Sequence, residues 1–484
     1  MRLEKRLKAR YFGSSLLGAT LAVALNFAII PKSNAADYAI GAGTENFDCS
    51  RVAPGDTVTI AAGSRGPLKI SGCQGTDGRR ITIRNDARGS GPAVVRRNAG
   101  SGGGFVFTCT NCIYVDIDGS QKWQGAPSGT TYGIQVTMTG GGSPSAFLRV
   151  AGLSRFVTIR NVEVDGKWPS LAGDGIGISV NDHTVKQADH PGLWREGILI
   201  EHSYVHNTEG EGMYVGPNYR EHDLPLRDVE IRYNRVVDTG WEGINTKSLW
   251  AGNNSVHHNV VIRAGSNGSL LNKPTQYSGI NNNAGTLKIY NNWVEKTGQH
   301  GIQVWNADGP MISEGKGPFT VSIWNNVIVD AGALWKSHMA NSYGINVGAA
   351  DNCEKPVPTI YNNTIVDARE SAIRLTHNVG NGTVRDNIVA SAGNNPITVP
   401  ANITLSNNEV GSVAEMAFVD ANERDFRLTS GSPGRNRGGS SFPQTDYDDV
   451  ARPQDGAPDV GAFEGTQAEQ ADARPKAPSS LAVQ

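Results

Sequence analysis

The sequence predicts an all-β fold, a solenoid of stacked parallel strands with capping segments at both ends. Three observations carry this. A short pattern in which an apolar residue is followed three places later by Asn recurs, at Asn234, Asn259, Asn292, Asn326, Asn363, Asn387 and Asn408. Each unit is followed by a second short strand that begins on Gly-Ile or a near variant: "EGMYVG", "EGINTK", "SGINNN", "HGIQVW", "YGINVG", "SAIRLT". Between these runs lie Gly, Asn and Asp turns, with little helical periodicity. One such rung cannot bury its apolar face alone, whereas stacked rungs share a continuous core. The repeated Asn has a structural job, because a side-chain amide both donates and accepts along the stacking axis.

The elements follow in order along the 484 residues. Residues 1–35 read as a secretory signal peptide: a basic start (Arg2, Lys5, Arg6, Lys8, Arg10), an apolar run to about Ile30, and small residues before a cleavage point after Ala35. A membrane anchor fits less well, since the run is short, is interrupted by Gly and Ser, and holds Asn26. A secreted or periplasmic location is therefore expected. Residues 36–465 form the solenoid domain, with about 411–465 following the last repeat. Residues 466–484 read as a disordered tail.

Without the leader the chain keeps 38 basic and 45 acidic side chains, a net charge of −7. That argues against nucleic acid as a partner, since phosphate binding needs a basic surface. No later run is apolar enough for a membrane span, and a monomer is expected. Of the five cysteines, Cys49 with Cys73 and Cys109 with Cys112 are candidate bridges in an oxidising compartment, which leaves Cys353 over. "CTNC" has no second pair or close His cluster, which speaks against zinc.

The repeat resembles the right-handed parallel β-helix of the pectate lyase-like superfamily, over roughly residues 45–410; "APGDTVTIAAG" resembles the entry coil of such proteins and the segment at about 411–465 their closing segment, which implies a cap over the open edge of the final coil. That fold hosts lyases, hydrolases, epimerases and adhesins, so the resemblance implies the architecture more firmly than the chemistry.

Equivalent positions of stacked rungs form columns. With Ile176, Met213, Ile244, Ile280, Ile302, Ile345 and Ile373 as inward anchors, alternation along a strand points particular side chains outward. The outward set includes Tyr214, Asn245, Asn281, Asn283, Gln303 and Trp305, amides and rings suited to sugar, although a polar solvent face has the same composition. Lys247 is the only lysine in these columns. Two residues before the anchors, Asp174, Glu211 and Glu242 fall on consecutive rungs. Carboxylates so close repel unless protonated, splayed or metal-bound, and oxygen ligands suit Ca²⁺; a solvated acidic turn is the alternative.

These types fit β-elimination from a uronate polymer, which needs the substrate carboxylate neutralised, a base for the C5 proton and an acid for the leaving oxygen. A lysine serves as base once a nearby cation favours its neutral form. "EGINTKS" (Glu242 to Ser248) is similar to the lysine-bearing strand of polysaccharide lyase family 6, the alginate lyase and chondroitinase B type. The resemblance implies Lys247 as base and Glu211 with Glu242 as Ca²⁺ ligands. That family carries a catalytic Arg on the following rung, where this chain reads "SGINNNAG". Tyr214, Arg220, His300 or Lys273 would then supply the acid or hold substrate from neighbouring loops. The expected activity is a secreted polysaccharide lyase on a uronate-containing glycan. A hydrolase pairing Asp174 or Asp182 with Glu211, a non-catalytic glycan binder and a C5-epimerase are the alternatives; no Asp-Pro-His-Asp motif supports the last. Alginate, pectate, glycosaminoglycan and exopolysaccharide all remain open as substrates, as does endo or exo action, which depends on the loops 260–277 and 307–319.

Overall fold

Strand alternation is the starting point. Pro356–Tyr361 reads "PVPTIY" and buries every second residue, and Leu226–Arg232 does nearly the same. Residues of this kind cannot satisfy their backbone groups alone, so each strand pairs in parallel with its equivalents one coil before and after. The result, seen in a computed structural model that describes residues 35–97, 104–140, 142, 144–171, 175–217, 222–268, 276–307, 318–335, 341–393 and 395–465, is an all-β parallel β-helix. Among the described residues it has a first sheet of 13 strands and second and third sheets of 12 each. One coil runs from Ile244–Leu249 in the third sheet to Ser255–His257 in the first, then to Val260–Ala264 in the second, and returns to Ile280–Gly285 in the third. Met213, Ile244, Ile280, Ile302, Ile345 and Ile373 stand level with one another and are buried, as their spacing implies.

The first of the expected anchors is corrected. Ile178, not Ile176, stands beside Met213. "GIGI" offers two isoleucines of the same parity, so alternation alone does not choose between them.

The Asn column lies at the corner between the first and second sheets. Asn326 Nδ2 donates to Ile289 O (2.9 Å), Trp324 O (3.0 Å) and Asn363 Oδ1 (2.9 Å). Its Oδ1 accepts from the backbone N–H of Asn292 (3.1 Å) and from Asn292 Nδ2 (3.0 Å). The same bonds link Asn234, Asn259, Asn292, Asn363, Asn387 and Asn408. The residue before each ladder Asn takes a left-handed φ, as at Asn291 (51°), Asn325 (51°) and Asn362 (51°), a conformation Asn tolerates better than most. Beside the ladder a ring column runs down the first sheet: His257–Tyr290 at 4.5 Å, Tyr290–Trp324 at 4.4 Å and Trp324–Tyr361 at 5.7 Å, all near coplanar.

The closing segment does not cap the last coil. It folds back along the outer face of the second sheet, where Trp293, Val327, Val329, Val366, Ile388 and Ala390 form a second apolar cluster with Phe418, Phe426, Leu428, Val460 and Phe463. These outward strand residues are apolar and need that cover. On the last coil Leu405 and Val410, level with buried Val384 and Val389, stay 49% and 47% exposed. Within the segment a buried Arg452–Glu464 pair (3.0 Å) is satisfied further by Arg452 donating to Asp459 O and Gly461 O. Cys49 pairs with Cys73 and Cys109 with Cys112, while Cys353 forms no disulfide. Among the described residues no helix is long and apolar enough to cross a membrane.

Asn326→Ala strands the buried Asn292 N–H and two carbonyls, so it should lower stability by about 3 kcal/mol. A urea melt checks this; a loss below about 0.5 kcal/mol would show that the ladder is not what holds the rungs in register.

Candidate functional site

The site is built on the third sheet. Glu211 and Glu242 each precede a strand, Met213–Val215 and Ile244–Leu249, and the pairing of Met213 with Ile244 sets them one rung apart. Both are buried. Glu211 is hydrogen-bonded to Asn245, and Asn281 Nδ2 reaches Asn245 Oδ1 at 3.1 Å and Glu242 Oε1 at 3.5 Å. The two carboxyls thus bracket a pair of amides. One oxygen of each, Oε2, is buried without a hydrogen-bond partner. A buried, unsatisfied carboxylate oxygen is costly. Burial pushes the Glu211 carboxyl up to about 7, against the lowering effect of its own backbone, Asn245 and Lys247. Burial, then the charge of Glu211, raises Glu242 well above the usual carboxylate range. Two orphaned carboxylate oxygens beside amide groups make an all-oxygen donor set, the type that hard cations prefer. Among the described residues no group of three or more His, Cys, Asp or Glu could hold a metal ion.

With Ile178 beside Met213, the residue level with Glu211 is Ile176, and Gly177 N–H donates to Glu211 O (2.9 Å). Asp174 itself, with Arg220 and Lys273, lies outside the described residues.

Lys247 is half-buried on the same strand as Glu242, and its charge acts on both carboxyls. Tyr214, also half-buried, pairs with Asn245 and is therefore the diagonal neighbour of Lys247 on one face. Level with Lys247 on the previous rung is Gly216, at φ 138°. A Cβ there would fall 2.0 Å from Lys247 O, so only glycine fits at that position. Asn283, level with Lys247 on the next rung, has a buried Oδ1 without a partner.

The outward face differs from the open sugar cleft expected. Asn245, Asn281 and Gln303 are buried, because neighbouring rungs cover one another: Asn281 bonds Asn245, and Ser278 Oγ donates to Gln303 Oε1 (2.8 Å). Tyr214, Lys247, Asn283 and Trp305 keep partial exposure. His300 is also buried: its ring stacks on Tyr343 at 5.2 Å, and Nδ1 accepts from Tyr343 N–H. Burial, then Arg374, pushes its pKa down to about 3, so it is a neutral packing group at neutral pH rather than a proton donor. Asp182 is engaged elsewhere, with Arg149 (3.2 Å), Gly152 N–H (2.8 Å) and Thr184. Burial raises its pKa, but the bonds from Thr184, Gly152 and Arg149 outweigh this and hold it below the usual range. It is no free partner for Glu211.

Arg374 was not singled out from sequence, although it falls in the same outward column. It lies over the Tyr343 ring (4.9 Å), donates to Asn346 Oδ1 (3.3 Å), and lines cavities of about 500 Å³ and 520 Å³, the second shared with Trp305. Four rungs separate it from Lys247, about 19 Å along the axis.

No family model and no curated protein matches the chain. Solved structures do. The pectate lyase Pel9A is 13% identical over 89% of this chain and 97% of that one, with a TM-score of 0.40. The PL6 family polysaccharide lyase Pedsa3628 from Pseudopedobacter saltans is 12% identical over 83% of this chain and 100% of that one, at 0.42. The mannuronan C-5 epimerase AlgE4 A-module of Azotobacter vinelandii is 14% identical over 74% and 88%, at 0.38.

The paired carboxyls also set a pH dependence. Both folded pKa values lie above the ordinary 4.5, so the protonated pair contributes its full stability below pH 4.5 and loses it as pH rises through the folded values, about 7 for Glu211. In metal-free buffer the melting temperature should fall across that window, and Glu242→Gln should flatten most of the fall. An unchanged slope in Glu242→Gln would mean that the pair does not titrate as described.

Proposed function

We propose that the protein is a polysaccharide lyase that cleaves a uronate-containing glycan by β-elimination, with Lys247 as base. The observation that carries this reading is the buried Glu211–Glu242 pair, with its unsatisfied oxygens, beside a half-exposed lysine on the same strand. The Lys247 amine takes the C5 proton of a uronate residue. The electron pair moves into the carboxylate and then forms the C4–C5 double bond as the C4–O bond breaks. The Tyr214 hydroxyl, from the adjacent rung, protonates the leaving oxygen. Ca²⁺ held by Glu211 and Glu242 would neutralise the substrate carboxylate when bound. Asn283 meets a sugar hydroxyl, and Trp305 and Arg374 hold the chain further along, by ring stacking and by pairing with a distal carboxylate.

Both disulfides support a protein that works in an oxidising compartment, as an exported enzyme on an extracellular polymer does. Asp182 is engaged with Arg149 and the Gly152 N–H, which favours the lysine reading over a hydrolytic pairing of Asp182 with Glu211.

Polygalacturonate, alginate and a glycosaminoglycan, offered in turn, should include one polymer from which the protein releases products with the ultraviolet absorbance of an unsaturated uronate. Lys247→Ala should lower that rate on the order of 10²–10⁴-fold. New reducing ends without the absorbance would point instead to hydrolysis, and full activity in Lys247→Ala would remove the lysine as base. Exhaustive chelation should abolish turnover and added Ca²⁺ restore it; indifference to chelation would remove the cation from the scheme.

A further inference from the structure

The corner between the first and second sheets holds a second groove, on a different edge of the coil from Lys247. Its floor is the column of left-handed residues that precede the ladder Asn. On the lower rungs this column grips the closing segment: Asn291 donates to Asp446 O (3.1 Å), Asn325 to Thr445 O (2.8 Å) and Asn362 to Asp459 O (3.0 Å). The segment reaches as far up as His258, whose Nε2 lies 3.7 Å from Asp449. Above that point the same groove opens as a cavity of about 440 Å³, lined by Tyr132, Asn161, His202, Tyr233, Arg235 and His258 among others.

The residue types change where the cover ends. The small amides give way to rings: His202 and Tyr233 are coplanar within 3° at 5.2 Å, and Tyr233 meets His258 at 4.8 Å. Tyr233 is 44% exposed and sits at φ 53°, a backbone conformation that disfavours a bulky side chain and that the lower rungs fill with Asn or Asp. A strained, solvent-facing ring on a rigid corner suits a binding role better than packing. Arg235 lines the same cavity, stacked over Tyr204 at 5.6 Å. None of the described residues that line the cavity is acidic.

We propose that this open stretch of the groove is a second carbohydrate-binding site, which takes an acidic sugar chain by stacking on Tyr233 and charge pairing with Arg235. A sugar ring presents a C–H face to the tyrosine, and a uronate carboxylate is a bidentate partner for the guanidinium. The groove that holds an extended polypeptide below is thereby suited to an extended polymer above. The site does not depend on the chemistry assigned to Lys247.

The test uses the full chain with Lys247→Ala, which prevents turnover of the probe. Calorimetry with galacturonate and guluronate hexamers should resolve two sites for at least one of them. Tyr233→Asn, which restores the residue type of the lower rungs, and Arg235→Gln should each weaken one of those sites about tenfold or more, with the melting temperature unchanged. In the chain that keeps Lys247 the same two substitutions should leave turnover of short oligomers unchanged and reduce it on long polymer. Binding that is indifferent to both substitutions, equal binding of neutral cellohexaose, or failure of both acidic hexamers to bind at this corner would each overturn the proposal. Loss of elimination activity with corner binding retained would bear on the Lys247 reading alone.

Discussion

Register between successive rungs is the constraint on which everything else in this molecule rests. A parallel strand that slips by one residue turns its apolar set outward and its polar set inward. The Asn ladder resists this by tying each coil at one corner to the next through both a side-chain amide and a backbone N–H, as Asn292 and Asn326 do at 3.0 and 3.1 Å. Because the ladder holds that corner, residues at equivalent places on the third sheet stack at a fixed rise. Glu211 and Glu242 become neighbours although 31 residues separate them, and Lys247 comes to lie between Gly216 and Asn283.

The same rigidity makes the carboxyl pair expensive. Surface acids would splay apart, but these two precede paired strands and cannot. Burial drives both toward the neutral form, the charge of Glu211 adds to this at Glu242, and each is left with an oxygen that no hydrogen bond satisfies. A folded protein that keeps such a feature forgoes stability at neutral pH. That cost has a functional explanation if a cation and an anionic substrate complete the site.

Much of this was legible in the sequence, because a solenoid repeats its rules. The ladder Asn residues, the anchors from Met213 onward and both cysteine pairs follow from spacing and alternation. What was not legible depends on contacts that no local pattern encodes. "GIGI" permits two registers of equal parity, and only pairing with Met213 selects Ile178, which sets Ile176 level with Glu211. Alternation assigns Asn245, Asn281 and Gln303 to the outer face but does not say that neighbouring rungs cover them. His300 reads as a candidate acid until its stack on Tyr343 is seen. The closing segment reads as an end cap by its resemblance to such segments and because an open last coil invites edge pairing. The apolar outward residues Val327, Val329 and Ile388 on the second sheet were the signal that it folds back instead.

The central claim is that the third-sheet column around Glu211, Glu242 and Lys247 is where a uronate chain reacts. A crystal structure of the Lys247→Ala protein with a uronate oligosaccharide and Ca²⁺ tests it most directly. The account predicts a sugar chain along that column, one uronate carboxylate facing Glu211 and Glu242, and its C5 hydrogen directed at the space left by the lysine side chain. An oligosaccharide bound with its carboxylates turned away from both glutamates, or bound only elsewhere on the solenoid, would contradict it.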